Sequence, residues 1–333
     1  MSGRRRYDES DVRVRPGRKG SRPRTKDRPA HKDAVVGMVI AVDRGRWTVR
    51  LDDRQVTAMR ARELGRTSIV VGDRVALVGD TSGADGSLAR IVRVEERSSV
   101  LRRTADDTDP YERVVVANAD QLVIVTALAN PEPRPRMVDR CLVAAYDAGM
   151  DPLLVLTKAD LRPAEDFVGS YAPLDVPYVV TSVTDDGISG IDQVRAAVDG
   201  RISVLVGHSG VGKSTLVNEL VPGTDRATGH VNVVTGRGRH TSTSAVALPL
   251  AGGGWVVDTP GVRSFGLAHV DPARIVHLFP DLEPGTADCP RGCTHDEEEC
   301  ALDAWVADGH AGPAGPSRLE SLRRLLRSRG DGE

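Results

Sequence analysis

The sequence predicts an α/β protein with a small β barrel on its N-terminal side and a helical segment on its C-terminal side. Three observations support this fold class. A short β-branched run, a glycine-rich loop and a helical pattern follow one another between 201 and 220. Closely spaced short strands with turn residues between them fill 34–97. Three of the four cysteines cluster with a histidine within twelve residues, from 289 to 300.

Residues 1–33 are predicted to form a disordered basic arm. They contain twelve Lys and Arg against five Asp and Glu, with prolines, glycines and few apolar residues. Such a composition cannot bury enough apolar surface to fold. Contact with RNA phosphates would explain the positive charge, and the alternative is a tail that only keeps the chain soluble.

Residues 34–97 are predicted to form an OB-type barrel, because about five short strands occur within about sixty residues. Barrels of this kind often bind oligonucleotides, but Trp47 is the only aromatic residue here that could stack on a base. A structural spacer is therefore the alternative. The predicted strands are 35–42, 46–51, 69–71, 74–78 and 89–94.

Residues 207–214 match the pattern GxxxxGK(S/T) of a phosphate-binding loop, in the setting of strand, loop and helix that this motif requires. Its glycines let the backbone point N–H groups inward, and the start of the next helix adds its positive dipole end. Lys213 would reach the β- and γ-phosphates and Ser214 would ligate Mg²⁺. The alternative is a chance glycine turn. The predicted nucleotide contacts are Gly207, His208, Ser209, Gly210, Val211, Gly212, Lys213, Ser214 and Thr215.

A tetrapeptide that resembles the guanine-specifying motif NKxD follows the apolar run 152–156. It consists of Thr157, Lys158, Ala159 and Asp160. Asp160 would accept two hydrogen bonds from the guanine edge, and Lys158 would lie along the base plane. Thr157 replaces the usual asparagine, and its hydroxyl can make only one of the amide's bonds to the phosphate loop. A solvated turn at a strand end is the alternative.

A possible switch motif of the form DxxG runs from Asp258 to Gly261, directly after the apolar run 255–257. Asp258 would hold Mg²⁺ through water, and the Gly261 N–H would contact a γ-phosphate. The guanine-specifying motif therefore comes first in this chain, the phosphate loop second and the switch motif third. In ordinary GTPases the phosphate loop comes first, the switch motif second and the guanine-specifying motif last. Ser182 lies between the first two motifs and is predicted to contact the base from its other side.

The attacking water needs a residue to orient it, because Val262 stands where Ras-like enzymes have a glutamine. His240 is the candidate, in the glycine-rich segment between phosphate loop and switch. The alternative is that His240 contacts backbone or RNA phosphate. Thr241, Ser242 or Thr243 could supply the second magnesium hydroxyl.

The cysteine cluster predicts a structural zinc site, because three thiolates and one imidazole match a closed tetrahedral ligand set. Reactive or disulfide-bonded cysteines are the alternative, although a chain without a signal peptide is expected in a reducing compartment. His310 is a nearby histidine that could compete as a ligand. The predicted ligands are Cys289, Cys293, His295 and Cys300.

Taken together, the motifs resemble the circularly permuted ribosome small-subunit-dependent GTPases of the RsgA family, over roughly residues 34–310. The resemblance is carried by the permuted order, by 207–215, by Gly-Arg-His-Thr-Ser-Thr at 238–243, by 258–266 and by the Cys/His cluster. It implies a permuted P-loop GTPase core at 98–268, between the barrel and a helical zinc-binding domain at 269–333. It also implies Mg²⁺ with GTP, one structural Zn²⁺, and His240 as the proposed catalytic residue.

The resemblance further implies GTP hydrolysis on the small ribosomal subunit during its late maturation, with rRNA as a partner. We expect a cytoplasmic monomer without a membrane span, since no stretch approaches 18 consecutive apolar residues. One alternative is an RNA-binding assembly factor whose nucleotide is structural and turns over negligibly. Another is a P-loop ATPase or kinase. The basic run 318–329 would either lie on RNA or pack its leucines on the zinc domain with its arginines in solvent.

Overall fold

The computed structural model describes residues 31–103, 113–185, 187–223, 245–259, 265, 267 and 270–329. The predicted basic arm, up to residue 30, lies outside these described residues. Its disorder therefore stays a prediction. The segment that contains His240 and the last two residues of the DxxG motif, 260 and 261, also lie outside the described residues, so their predicted roles stay predictions.

Five strands close into a barrel at the N-terminal side. β1 pairs with β2, β2 with β3, β3 with β5 and β5 with β4, and β4 pairs back to β1. The pairing of β3 with β5 is parallel and the others are antiparallel. Val39, Val49, Val56 and Ile91 fill the interior. The strands are β1 (Val35–Asp43), β2 (Arg46–Leu51), β3 (Arg54–Arg60), β4 (Arg74–Gly79) and β5 (Ala89–Val94).

The prediction of a strand at 69–71 was wrong, and the third strand of the barrel is β3. That strand has a weak sequence pattern, because only Val56 and Ala58 point inward and polar residues alternate with them. Val71 makes only an isolated bridge, to Val116. Ile69 packs in the barrel core and Val71 in the core that also contains α1, and burial alone does not require a ladder of hydrogen bonds.

Trp47 is a core residue of the barrel. Its side chain is buried, and its Nε1 donates to the carbonyl oxygen of Ile69 at 3.1 Å. The single aromatic residue of the barrel is therefore not exposed for stacking on a base.

A second group of strands forms a mostly parallel sheet. The spatial order is β10-β9-β8-β13-β15-β14, with all pairs parallel except β14 with β15. β14 also meets β1 of the barrel through the pair Ala41 and Val246. Two further antiparallel pairs, β6 with β7 and β11 with β12, form separate two-stranded sheets. The strands after the barrel are β6 (Val100–Arg103), β7 (Arg113–Ala117), β8 (Gln121–Ala127), β9 (Asp151–Thr157), β10 (Tyr178–Val180), β11 (Ser182–Thr184), β12 (Gly187–Ser189), β13 (Ile202–Val206), β14 (Val246–Pro249) and β15 (Trp255–Asp258).

Helices cover both faces of this sheet, which explains why its central strands are apolar throughout. The side chains of α3 and α4 pack in one core, and those of α1, α5, α6 and α7 pack in the other. No helix in the described part of the chain is long and apolar enough to span a membrane. The helices are α1 (Pro135–Asp147), α2 (Glu165–Tyr171), α3 (Ile191–Val198), α4 (Lys213–Leu220), α5 (Pro272–Val276), α6 (Ala301–Ala307) and α7 (Gly315–Arg329).

Helix α7 contains the basic run 318–329, for which the sequence left two alternatives. The run would either lie on RNA or pack its leucines on the zinc domain with its arginines in solvent. Its leucines are buried, as one of the two alternatives predicted. Its arginines, however, form ion pairs within the protein. Arg318 pairs with Asp281, Arg323 with Asp303, Arg324 with Asp139 and Arg327 with Asp296. The positive charge of α7 is therefore largely used internally.

Candidate functional site

The glycine loop, residues 207–212, joins β13 to α4, as the sequence predicted. Gly210 and Gly212 have φ values of 82° and 93°, which other residues adopt only with strain. A Cβ on Gly207 would lie 2.5 Å from the carbonyl oxygen of Val125, so only glycine fits there. Val211 is buried and anchors the loop in the core. The loop therefore holds its backbone at the N-terminus of α4, where anions bind favourably.

Lys213 and Asp258 meet at the carboxyl ends of two neighbouring strands. Lys213 Nζ lies 2.5 Å from Asp258 Oδ1, and their side chains are only 17% and 9% exposed. Asp258 is in register with Leu205 of β13, and Thr259 Oγ1 donates to the Leu205 carbonyl at 3.0 Å. A cation suited to phosphate thus lies beside a carboxylate suited to Mg²⁺.

Thr157 connects the predicted base-reading segment to the glycine loop. Its Oγ1 donates to the carbonyl oxygen of Val211 at 2.6 Å, and the side chain is buried. This is one hydrogen bond where an asparagine amide could make two. The end of β9 is therefore fixed against the loop that follows β13.

The predicted base contacts lie on two adjacent loops. Lys158 has a positive φ, and its ammonium group donates to the carbonyl oxygen of Asn130. Asp160 is exposed, and its Oδ1 accepts from the N–H of Val183 at 3.3 Å. Ser182 precedes Val183 at the start of β11. Ala159 donates its N–H to the carbonyl of Thr181 at 3.1 Å, which holds the two loops together.

Some predicted site residues lie outside the described part of the chain. These are His240, Thr241, Ser242, Thr243 and Gly261. Ser209, Ser214 and Thr215 are described and exposed, on the loop and the first turn of α4. The structure therefore brings together the base-reading segment, the glycine loop and Asp258.

One contact of the glycine loop was missed by the sequence analysis. Arg134 Nη1 lies 3.4 Å from Nε2 of His208, although the two residues are 74 positions apart. Arg134 belongs to the segment between β8 and α1, and Pro131 of that segment faces Gly210. No motif marks this arginine. Only the adjacency of β8 and β13 places it near the loop.

The Cys/His cluster has the geometry of a four-ligand metal site. The ligand atoms of its members all lie within 4.8 Å of one another. Cys289 Sγ is 3.6 Å from His295 Nδ1, and Cys300 Sγ is 3.9 Å from both. Tetrahedral zinc, with Zn–S bonds of about 2.3 Å and Zn–N bonds of about 2.0 Å, separates its ligands by roughly 3.5–3.8 Å. The donors Cys289, Cys293, His295 and Cys300 therefore fit zinc.

His310 is not part of this cluster, so the alternative ligand was wrong. Its ring stacks on Trp305 with centroids 4.4 Å apart. The cysteines of the cluster are free thiols in the structure, which argues against the disulfide alternative. Cys141 is buried in α1, as expected for a small hydrophobe, and burial raises its pKa to about 12.

The surroundings of the cluster shift the pKa values of its ligands. Burial lowers the pKa of His295, which keeps its imidazole in the neutral form that binds a metal. Burial raises the pKa of Cys293 and Cys300, so their thiolates need a nearby cation. Glu297 accepts hydrogen bonds from the backbone N–H and the hydroxyl of Thr294, at 3.0 and 2.8 Å, and these bonds lower its pKa to about 2.

Comparison with known proteins gives consistent matches. The family model "RsgA GTPase" matches residues 94–268. A "Small ribosomal subunit biogenesis GTPase RsgA" from Pseudomonas aeruginosa is 38% identical over 298 residues, which cover 88% of this chain and 85% of that protein. The protein of the same name from Gemmatimonas aurantiaca is 36% identical over 301 residues, which cover 88% of this chain and 96% of that protein.

Two solved structures are similar to this one. YjeQ from Thermotoga maritima matches with a TM-score of 0.63 and 28% identity, over 88% of this chain and 98% of that one. YloQ, described as a circularly permuted GTPase, matches with a TM-score of 0.61 and 19% identity, over 91% of this chain and 99% of that one. The second match concerns the fold alone.

Proposed function

The chain belongs to the RsgA GTPase family, and on this premise we propose that it binds and hydrolyses GTP at the carboxyl edge of its parallel sheet. As a member of this family it is a GTP hydrolase with a role in biogenesis of the small ribosomal subunit. We further propose that hydrolysis is a late checkpoint or release step on that subunit.

One observation carries the assignment of the site: three distant segments are joined by side-chain contacts at one edge of the sheet. Thr157 reaches Val211 across 54 positions of sequence. Lys213 reaches Asp258 across 45 positions. Ligands of parallel α/β sheets bind at the carboxyl ends of the strands, which is where these contacts lie.

Each segment has a proposed role in binding GTP. Backbone N–H groups of the glycine loop and the ammonium of Lys213 hold the phosphates. Lys158 and Asp160 read the guanine, with Ser182 on its other side. Because Thr157 fixes this segment against the glycine loop, base and phosphate contacts are held at a constant separation.

Magnesium fits the oxygen donors at this site, since hydroxyl and carboxylate oxygens are its usual ligands. We assign Ser214 and Thr241 as hydroxyl ligands, with Asp258 acting through water. When bound, the ion neutralises charge that develops between the β- and γ-phosphates. The Gly261 N–H would contact the γ-phosphate, and His240 would orient the attacking water in place of a glutamine.

Zinc would be held by Cys289, Cys293, His295 and Cys300. This closed set leaves no position open for catalysis, so its role is structural. We propose four regions: a basic arm at 1–33, an OB-type barrel at 34–97, a permuted P-loop GTPase domain at 98–268 and a zinc-binding helical domain at 269–333. The protein would act as a monomer.

Contact with rRNA is proposed for the arm and the barrel. The polar face of β2 carries Arg46 and Arg50, which alternate with buried residues, and Arg54 at the start of β3 and Arg90 of β5 are also exposed. Arginine side chains suit phosphate contacts, which weaken as salt rises. Because Trp47 is buried, binding by this barrel would rest on charge more than on stacking.

The test is GTP turnover by the full chain with and without isolated small ribosomal subunits, at low and moderate salt. We expect strong stimulation by subunits, with ATP a poor competitor for GTP. The variant His240→Ala is expected to keep GTP binding and to lose the stimulated rate. A slow rate that subunits leave unchanged would instead favour the RNA-binding assembly factor with structural nucleotide.

A further inference from the structure

The segment between β8 and α1 lies against the glycine loop. A Cβ on Gly210 would lie 3.7 Å from Cδ of Pro131 in that segment. Arg134 Nη1 lies 3.4 Å from Nε2 of His208, the second residue of the loop. Arg134 is exposed. A guanidinium that solvent can reach therefore lies beside a part of the chain that is shaped to bind phosphate.

The backbone of this segment is held at both ends. At its start, the ammonium group of Lys158 donates to the carbonyl oxygen of Asn130. At its end, the carbonyl oxygen of Arg134 accepts from the N–H groups of Met137 and Val138, at 3.0 and 3.2 Å, as α1 begins. The side chain of Arg134 therefore projects from a defined backbone position, which reduces the ordering that a bound ligand would require.

The stability of α1 does not explain an arginine at this position. Arg134 directly precedes the helix, where Ser, Thr, Asp and Asn are favoured because their side chains accept from free N–H groups. Its side chain makes no such bond, and no acidic residue lies in the first turn of α1. A cation at this end also opposes the positive end of the helix dipole. The charge is unfavourable for the helix, so its position points to an anion outside α1.

Within the described residues, no carboxylate forms an ion pair with Arg134. The carboxylate nearest in sequence, that of Glu132, accepts from two nitrogens of Arg162 at 2.7 and 2.9 Å. The hydrogen bonds from Arg162 lower the pKa of Glu132, which keeps this carboxylate ionised. The Nε2 atom of His208 is a single nitrogen, whereas a guanidinium carries five N–H donors. The donors of Arg134 can therefore bind a larger anion.

The γ-phosphate is the part of GTP that best fits this cation. In loops of this type the backbone N–H groups cradle the α- and β-phosphates, and the γ-phosphate depends more on cationic side chains. Lys213 is one such cation, but Asp258 beside it offsets its charge. GTP carries more negative charge than GDP, so a second cation at the loop favours the triphosphate.

We propose that Arg134 binds the γ-phosphate of GTP and thereby sets the preference of this site for GTP over GDP. The proposal rests on the proposed function, because it needs guanine nucleotides to bind at the glycine loop. When GTP is bound, the guanidinium turns from His208 and donates two N–H groups to phosphate oxygens, which its planar fork matches. Arg134 is then a specificity-determining residue of the GTPase.

The experiment measures the dissociation constants of a non-hydrolysable GTP analogue and of GDP, by titration calorimetry of the full chain with Mg²⁺. In Arg134→Gln we expect the analogue to bind about tenfold more weakly, the scale of one hydrogen bond to a charged group. GDP affinity should stay within about twofold, because an exposed charge without direct contact contributes little. The preference for the analogue should therefore fall about fivefold or more.

Two further variants make the test decisive. Arg134→Lys keeps the charge but lacks the fork, so its affinity for the analogue should lie between those of the wild type and Arg134→Gln. Arg201→Gln is the control, because it also removes one partly exposed arginine. Arg201 pairs with Asp151 and precedes β13, at the end of the strand opposite the glycine loop. This variant should keep the wild-type preference.

Equal losses of affinity for the analogue and GDP would place Arg134 on a phosphate that both share and would overturn the γ-phosphate contact. Unchanged affinities in Arg134→Gln would also overturn it, and weaker binding of that variant to small ribosomal subunits would then assign the arginine to RNA phosphate. An equal effect in Arg201→Gln would show a general effect of charge. Failure of the wild type to bind either nucleotide would overturn the proposed function itself.

Discussion

The proposed nucleotide site and the Cys/His cluster are built in opposite ways. The nucleotide site draws on segments at the ends of β9, β13 and β15, and the sheet brings them together. The zinc cluster comes from one segment of twelve residues, which between Cys289 and His295 contains neither strand nor helix. The proposed nucleotide site is therefore positioned by the fold, whereas the Cys/His cluster would depend on the proposed ion and on the contacts of α7.

This difference predicts how each site responds to the loss of a side chain. Loss of a side chain at the nucleotide site should change binding but leave the sheet in place, because buried strands hold the backbone. Loss of a cluster ligand should change the local structure itself, because His295 has a positive φ and little regular structure supports it.

The largest effect is expected for Lys213→Ala. GTP binding and turnover should be lost together, with about 2–5 kcal/mol of binding free energy removed, because a buried charge loses its partner. Titration with a fluorescent GTP derivative measures this. The surface variant Arg195→Ala, on the neighbouring helix α3, serves as the control. Full GTP affinity in the lysine variant would refute the assigned role of the glycine loop.

The next effect concerns Cys293→Ser. We expect bound zinc to fall from one equivalent to none, with faster hydrogen exchange in α6 and α7, because the metal links their supporting loop. GDP affinity should stay within about twofold, since the sheet holds the phosphate contacts. Cys141→Ala is the matched control and should retain one equivalent of zinc. A large loss of GDP affinity would contradict the expectation that the sheet alone holds the phosphate contacts.

A smaller effect is expected for Thr157→Val, which keeps the shape of the side chain but removes the hydroxyl. Guanine nucleotide affinity should fall about two- to tenfold, since one neutral hydrogen bond contributes about 0.5–1.5 kcal/mol. Isothermal titration with GDP measures the change. Thr157→Ser retains the hydroxyl and should bind as the wild type does. Equal affinities in both variants would show that the hydrogen bond to Val211 does not position the guanine-specifying segment.

The last effect concerns stability as a function of pH, at the junction of α1 with α7. Burial raises the pKa of Asp139 from 3.8 to about 6, and it outweighs the opposing effect of Arg324. The folded state therefore prefers the protonated acid. This contribution to stability is present below about pH 4 and is lost as pH rises through about 6.

Urea unfolding of the wild type and Asp139→Asn at several pH values tests this expectation. The stability of the wild type relative to the variant should decrease by about 1–3 kcal/mol between pH 4 and 7. The variant cannot titrate at this position, so it serves as the reference. A difference that stays constant, or grows with pH, would contradict the cause assigned to the shifted pKa.

Elements with strong sequence patterns were predicted to within a residue or two. The strands β13 and β15 are examples, because apolar runs mark them. β3 was missed because only Val56 and Ala58 are buried along it. The Cys/His cluster and the glycine loop were also predictable, since each is a local pattern of residue types.

Contacts between distant residues could not be predicted in this way. Neither Arg134 beside His208 nor Arg140, which donates to the carbonyl oxygens of Phe265 and Ser328, belongs to a motif, and each contact depends on how strands and helices are placed. The arginines of α7 show the same limit. The sequence shows the charge of these arginines. Their acidic partners lie mostly on other elements, so the ion pairs could not be predicted from the sequence.

The order of strands in the sheet has a consequence for synthesis of the chain. β8, β9 and β10 are neighbours in space and precede β13 in sequence. Domains generally fold from the N-terminus as the chain emerges. A nascent chain therefore contains the barrel and three adjacent parallel strands before its phosphate contacts have been made. β13 and β15 then add on the other side of β8, so nucleotide can bind only after most of the sheet exists.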